Sequence, residues 1–358
     1  MQVSSPWGPV FRRLLQDSLR LRRAEDLLIQ TWNYTLSTAH QLENVARQLG
    51  IKSTIFHIPE ESFRPGRSAT GSSALSGSLR QALSECDAFV SFPGPEDMPR
   101  WIVELGASGR RAFYEWTQRV VAVLAARRTP AAFFHPAFAT PTSARVLGVS
   151  FDQWRRECVA ASFVSPSMIR RRAQFVSRRL GHGRTVRVSH PNGTEVEVGL
   201  QSKPPVIHDG VVDSGDLRRG MNWTLVPTGV VIVPLDDAVG DGRFMGNRPS
   251  WHHRGVVQGI DWRFSGGRMV HSDAGPGREI LRRSFRLARP GTVRVAMLSI
   301  GLNPRVRYAP FLEDLERGAV TLYVGHNEDF GGDSPGSLRE WATLAGAQIS
   351  IDGKFLNP

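Results

Sequence analysis

Two cysteines in 358 residues, Cys86 and Cys158, rule out a disulfide framework and cannot by themselves complete a zinc site. Both sit in helix-like surroundings, a usage that fits a reducing compartment. Long apolar runs are missing too. The longest uninterrupted one, Val120 to Ala126, is far short of the ~20 residues a membrane-spanning helix needs, and the N-terminal segment has no apolar core of the secretory-signal kind. A cytoplasmic chain with no membrane partner is therefore expected. Lysine is almost absent: Lys52, Lys203 and Lys354 are the only three, so arginine supplies the other 42 of the 45 basic residues.

Against 33 acidic residues that surplus gives a net charge of +12, which favours an acidic partner. Clusters such as Arg170-Arg171-Arg172 nevertheless fall on helical stretches without interleaved aromatic stacking platforms, and no common nucleic-acid-binding motif appears. The surplus reads as a dispersed, solvated arginine surface, and nucleic acid is not the expected partner. With 41% hydrophobic and 22% charged residues the composition is that of a folded protein, and the length suits two domains.

Periodicity divides the chain. Residues 9 to 24 read as an amphipathic helix, Leu27 to Thr31 as a strand, Thr38 to Leu49 as a helix ending at Gly50, and Ser53 to Ile58 as the next strand. The alternation continues through Leu79 to Ser84, Asp87 to Phe92, Tyr114 to Ala126 and Ala131 to Phe134, which implies a parallel sheet covered by helices. Arg64 to Ser78, rich in Ser and Gly, reads as a loop. Helices are expected at Phe151 to Phe163 and Ser167 to Leu180. Beyond them the pattern changes to short strands. Thr185 to Ser189 and Thr194 to Val198 flank Pro191-Asn192-Gly193, a hairpin signal, and further strands are legible at Val230 to Val233, Val256 to Phe264, Val293 to Ile300, Val320 to Val324 and Ile349 to Ile351. The expectation is an α/β domain over residues 1–184 and a mostly antiparallel β domain over 185–358.

A set of ordered anchors carries more information than any one motif. Pro141-Thr142 through Ala144, Gly148 and Ser150 comes first, then Gly193-Thr194-Glu195-Val196. Asn222 to Gly229 with Val233-Pro234 follows, then Ile300-Gly301-Leu302-Asn303-Pro304, Gly325 with Asn327, Gly331-Gly332 and Ile351-Asp352-Gly353. In order and spacing the set resembles the dinuclear-metal aminopeptidases of the aminopeptidase S and T type, together with their iron-dependent 2,5-dihydroxypyridine dioxygenase relatives. That resemblance implies an α/β domain before an aminopeptidase-like β domain, and a site whose divalent metals are held by two glutamates, two histidines and an aspartate. At the corresponding positions this chain carries Val230, Met297, Thr321, Arg339 and Trp341. None is a carboxylate or an imidazole, and a fixed guanidinium at Arg339 would repel a cation. The resemblance therefore implies a member without its metal ligands: no metal, no cofactor and no catalytic residue is expected.

Other residues could rescue chemistry. Trp251-His252-His253, His271 with Asp273, and His326 with Glu328 are candidates for a relocated metal site, although neighbouring histidines on a strand point to opposite faces, and loop or surface histidines are the plainer reading. Asp236-Asp237 and Glu313-Asp314 read as solvated turn and helix-start charges. Gly240-Asp241-Gly242 and Gly331-Gly332-Asp333 lack the strand–Gly–Lys–helix context of a phosphate loop and read as turns.

The function expected from these observations is non-catalytic peptide binding in a retained cleft. Val230, Met297, Thr321, Arg339 and Trp341 would face inward, with Asn222 and Trp223 nearby, since extended peptides bind through backbone hydrogen bonds and side-chain pockets without hydrolysis. Relatives without metals imply a protein that holds an acidic precursor peptide for tailoring enzymes in ribosomal-peptide natural-product biosynthesis, working as a homodimer. The alternative is an enzyme, either a hydrolase or ring-cleaving relative with a displaced metal site or one acting on a small molecule without metal.

Overall fold

The run Leu27-Leu28-Ile29-Gln30-Thr31-Trp32 is buried along its whole length, the mark of a strand covered on both faces. A computed structural model describes residues 6–63, 74–252, 255–286, 293–307, 309–334 and 338–358. In it this run forms β1 (Asp26–Trp32) at the centre of a parallel sheet with β2 (Lys52–Ile58), β3 (Ala88–Ser91) and β4 (Ala131–Phe134). A fifth strand, Trp223–Val226, joins beyond β4, giving the order β2-β1-β3-β4-β8; it is β8 because three strands of the second unit precede it in the chain. The chain forms two compact units, residues 1–163 with 210–227, and residues 164–209 with 228–358.

Helices clothe the first sheet because their apolar residues recur every three or four positions. In Leu36–Gln48 the buried stripe is Ala39, Leu42, Val45 and Ala46. Ser76 caps Gly77–Glu85 by accepting from Leu79 N at 3.2 Å. Thr140 does the same for Pro141–Leu147, which ends at Gly148 in the left-handed region. A cluster of aromatic rings, Trp32, Phe63, Trp101 and Phe113, packs mostly edge-to-face in this unit, with Trp32 and Phe63 tilted and centroids 5.0 to 6.5 Å apart.

In the second unit, β5 (Thr185–His190) and β6 (Thr194–Leu200) form the expected hairpin, with β7 (Val206–His208) and β9 (Val230–Met245) following. After them come β10 (Ser250–His252), β11 (Gly255–Val257), β12 (Asp261–Ser265), β13 (Arg268–Asp273), β14 (Val295–Gly301), β15 (Val320–Gly325), β16 (Arg339–Leu344), β17 (Gln348–Ile351) and β18 (Lys354–Leu356). The main sheet runs β16-β15-β14-β9-β6-β5-β17-β18 and is antiparallel throughout, with β7 and the β12–β13 ladder also attached to β9. The helix Pro166–His182 contributes Ile169, Ala173, Val176 and Leu180 to the core that the sheet shares. Its Arg170 is paired with Asp209 at 2.7 Å.

Four expectations need correction. The helix expected over residues 9–24 is α-helical only over Gly8–Arg13, continues as a π turn over Leu14–Ser18, and has ended before Arg20, which adopts φ +55°. The strand expected over Val256 to Phe264 is two, β11 and β12, separated by a turn in which Gly259 has φ +61°. Gly240 to Gly242 is no turn but the interior of β9, where a Cβ on Gly242 would lie 2.1 Å from Glu195 O. Of the loop expected over Arg64 to Ser78, Arg64 to Ser73 lie outside the described residues, and Gly77 already belongs to a helix.

Candidate functional site

Strand pleating sorts β9, β14, β15 and β16 into two faces. Val231, Val233, Leu298, Ile300, Leu322, Val324, Ala342 and Leu344 point into the main core. The opposite face is built in rows: Trp341 beside Tyr323 beside Met297 beside Pro234, then Thr343 beside Thr321 beside Ser299 beside Ile232. Val230 lies opposite Gly301, and Arg339 opposite Gly325. Because two-residue steps keep a side chain on one face, Val230, Met297, Thr321, Arg339 and Trp341 all share it. Val230, Met297 and Thr321 are fully buried, whereas Arg339 and Trp341 are half-buried and form its accessible part. Thr321 spends its hydroxyl on Thr343 at 2.9 Å.

Against this face lies a turn that brings two carboxyl groups to the aromatic row. Glu313, in the 3-10 turn Glu313–Leu315, is 4% exposed and accepts from the Trp341 indole at 3.1 Å. Asp314 accepts from the Tyr323 hydroxyl at 3.4 Å. Burial pushes the Glu313 carboxyl up to about 8, with the Asp314 charge adding to the effect; hydrogen bonds from the backbone and the Trp341 indole pull it partly back. Burial also lifts Asp314 to about 6, and holds the Tyr323 phenol well above its usual value. The reading of Glu313-Asp314 as solvated charges is thus wrong for Glu313. The signal was in the neighbours: Phe311-Leu312 before the pair and Leu315 after it leave little reason for that turn to face water.

Arg339 is held in place. Its Nη2 donates to His326 Nε2 at 2.7 Å, and its guanidinium sits 5.1 Å from the Phe330 ring centroid. Since Nε2 accepts, His326 carries its proton on Nδ1, which reaches Leu338 O at 3.1 Å. A guanidinium against the imidazole leaves no place for a metal there. His252 stacks on Trp341, ring centroids 4.8 Å apart, with Nδ1 3.6 Å from buried Glu340. His253 lies outside the described residues. Asp273, two residues from His271 on β13, is ion-paired with Arg278 at 2.8 Å. Among the described residues no group of three or more His, Cys, Asp or Glu is placed to hold a metal ion, so those residues offer no donor set that fits the divalent metals the resemblance implies.

Asn222 and Trp223 belong to the first unit. Asn222 is buried and donates to Thr129 O at 3.0 Å, fixing the start of β8 beside β4, and Trp223 packs edge-on against Phe133. Several of the ordered sequence anchors prove to be backbone devices. Asn303 Nδ2 donates to Thr228 O at 2.7 Å while its Oδ1 accepts from Arg305 N at 2.9 Å. Asn327 Nδ2 donates to Ala296 O at 2.8 Å, where β14 bulges against β15. Asp352 accepts from the amides of Arg184 and Thr185, tying the β17–β18 turn to the start of β5. Trp251 and Trp262 are buried core residues.

The arrangement of a parallel, helix-covered sheet and a large antiparallel sheet defines an aminopeptidase-like α/β fold. Among solved structures the chain is similar to wild-type AmpT from Thermus thermophilus, with a TM-score of 0.69 and 14% identity over 98% of this chain and 99% of that one. It is also similar to 2,5-dihydroxypyridine dioxygenase from Pseudomonas putida KT2440, with a TM-score of 0.67 and 15% identity over 99% and 96% of the two chains. At these identities the likeness is one of fold. No protein-family model matches the chain, and no curated protein sequence matches it significantly. No helix among the described residues is long and apolar enough to cross a membrane.

Proposed function

We propose that this chain is a non-catalytic peptide-binding protein on a metalloaminopeptidase-like scaffold. The observation that supports the reading most directly is the donor set on the shared face. Val230, Met297 and Thr321 lie buried behind the accessible guanidinium of Arg339 and indole of Trp341, and none of the five offers the carboxylates or imidazoles that hold divalent metals. Arg339 and Trp341, the half-buried pair, are of the residue types that most often anchor a bound chain. A precursor peptide with acidic side chains, held for other enzymes to modify, fits the positive charge, and a homodimer formed through the antiparallel unit belongs to the same reading. Elemental analysis of protein purified without a histidine tag, paired with calorimetry against acidic peptides, tests it. Saturable peptide binding without cleavage supports the proposal, and a stoichiometric metal whose removal abolishes a peptidase activity overturns it.

A second reading, an enzyme working without metal, is favoured by one observation: burial raises the neighbouring carboxyl groups of Glu313 and Asp314 well above the ordinary range, to about 8 and about 6, the environment in which carboxyl groups serve as general acids or bases. Turnover of any small-molecule substrate that disappears in Glu313→Gln, with binding retained, would select this reading over the first.

A further inference from the structure

The first unit contains a feature that the shared face of the second does not use. Its strand order β2-β1-β3-β4-β8 means that the chain passes from β1 to β2 on one side of β1 and then crosses back to continue with β3 and β4 on the other. Such a reversal opens a crevice at the carboxyl ends of the strands, where connections diverge and ligands of open α/β sheets bind. A cavity of about 200 Å³ lies there. Tyr34 and Thr38 follow β1, Phe92 follows β3, Phe134 ends β4, and Phe151 and Arg155 come from the helix Phe151–Ser162.

We propose that this cavity is a small-molecule site for a compact monocarboxylate with an apolar or aromatic body. Three of its polar side chains are uncommitted. Among the described residues, the hydroxyls of Tyr34 and Thr38 and the guanidinium of Arg155 make no hydrogen bond or ion pair. Arg155 nevertheless lies near enough to the Tyr34 phenol for its charge to act there. Apolar walls are supplied by the rings of Trp7, Phe92, Phe134 and Phe151 together with Pro136 and neighbouring alanines, which accept an apolar body.

Two further observations set the charge of the ligand. The helix Leu36–Gln48 begins at Thr35, whose hydroxyl is engaged with Thr31 at 2.9 Å and Trp32 N at 3.1 Å and so caps no amide of its own helix. Leu36 N donates to Asn33 O at 3.4 Å, and the amides of Ser37 and Thr38, with the helix dipole, favour an anion at this end. Against that, the Glu96 carboxylate also acts on Tyr34, although it does not line the cavity and accepts from Thr142 at 3.4 Å. One guanidinium opposed by one carboxylate suits a single negative charge better than the dianion of a phosphate. Size agrees: a cavity of roughly 150 Å³ takes a benzene ring, and the space here admits a ring with one carboxyl group.

Calorimetry on the full chain with benzoate as probe, and with benzamide and inorganic phosphate as its neutral and dianionic counterparts, tests the site. Benzoate should bind saturably, and the other two at least tenfold more weakly. Arg155 is exposed, so Arg155→Leu should fold with an unchanged melting temperature and lose at least tenfold in benzoate affinity, while nuclear Overhauser contacts should link the benzoate ring to the Tyr34 ring. Absence of saturable benzoate binding, equal binding of benzamide, displacement of benzoate by phosphate, or unchanged affinity in Arg155→Leu would each overturn the proposal. None of these outcomes bears on the peptide reading of the second unit.

Discussion

The indole N–H of Trp341 donates to the Glu313 carboxyl across 3.1 Å, so a strand residue marked by sequence anchors is joined to an acid that the sequence placed at the surface. The bond gives the half-buried end of the β16 face a titratable partner. Trp341 is positioned from its other side by the His252 ring. Whatever meets this face meets an indole whose hydrogen-bonding edge is already spent and whose remaining value is apolar contact area.

The state of the buried acids makes stability depend on pH. Glu313 moves from an ordinary value of 4.5 to about 8, Glu340 from 4.5 to about 7, and Asp314 from 3.8 to about 6, each chiefly through burial. Between each ordinary value and its raised one, the folded chain binds more protons than the unfolded chain, so the stabilisation falls as pH rises through that window. The slope from Glu313 is at most about 1.4 kcal/mol per pH unit. His135, whose buried ring is pushed down to about 4, works in the opposite sense up to about pH 6.5. The melting temperature should therefore decline most clearly from about pH 6.5 to pH 8, and Glu313→Gln should flatten that decline. A melting curve that rises across this window would contradict the burial of these groups.

Gly301 marks how tightly the same turn is seated. A Cβ at this position would lie 2.1 Å from Glu316 O and 2.8 Å from Asp314 O, both backbone atoms that no rotamer change can move. Gly301→Ala should destabilise the protein by roughly 2 kcal/mol or more, measured by urea unfolding. It should also loosen the turn carrying Glu313 and Asp314. A variant as stable as the parent would mean that this turn does not sit against β14.

How much of this was legible depends on whether the signal was local. Buried parallel strands announce themselves as continuous apolar runs, and Leu27 to Trp32 was readable for that reason; the Pro191-Asn192-Gly193 turn was readable because its residues suit left-handed and turn conformations. The parity that puts Val230, Met297, Thr321, Arg339 and Trp341 on one face is a matter of register among four strands distant in sequence, and only the ordered anchors hinted at it. Glu313 was misread because a charge pair looks solvated until the fold buries it. Gly240 to Gly242 looked like a turn because glycine marks close backbone approach as readily as chain reversal, and here β9 passes hard against Glu195.

Neither cysteine should react in the native state. Both are buried, and burial pushes the Cys86 thiol up to about 11 and Cys158 to about 12, so almost no thiolate is present at neutral pH. A maleimide should label less than one equivalent in the folded protein over a period that labels both in denaturant, as read by intact mass. Rapid native labelling at either position would point to local opening of its helix.

Arg339→Ala is the change that bears most directly on peptide binding. In the unliganded protein its guanidinium is engaged by His326 and Phe330, contacts on a half-buried side chain whose loss should lower stability by only about 1 kcal/mol. An arginine already fixed in position loses less rotamer freedom when it takes up a ligand carboxylate. Removing it from a complex in which it pairs with a buried acid leaves that charge unpartnered, at a cost on the order of 2 to 5 kcal/mol. Calorimetry against acidic peptides should thus show at least a tenfold loss of affinity, about 1.4 kcal/mol, clearly larger than the accompanying stability change. Arg339→Lys separates charge from shape, since an ammonium cannot reproduce the planar fork or the stacking on Phe330. Lysine should restore only part of the affinity if the fork grips a carboxylate. Full affinity in the folded alanine variant would place peptide recognition away from the β16 end of this face, and the reading of the shared face as a peptide cleft would fall.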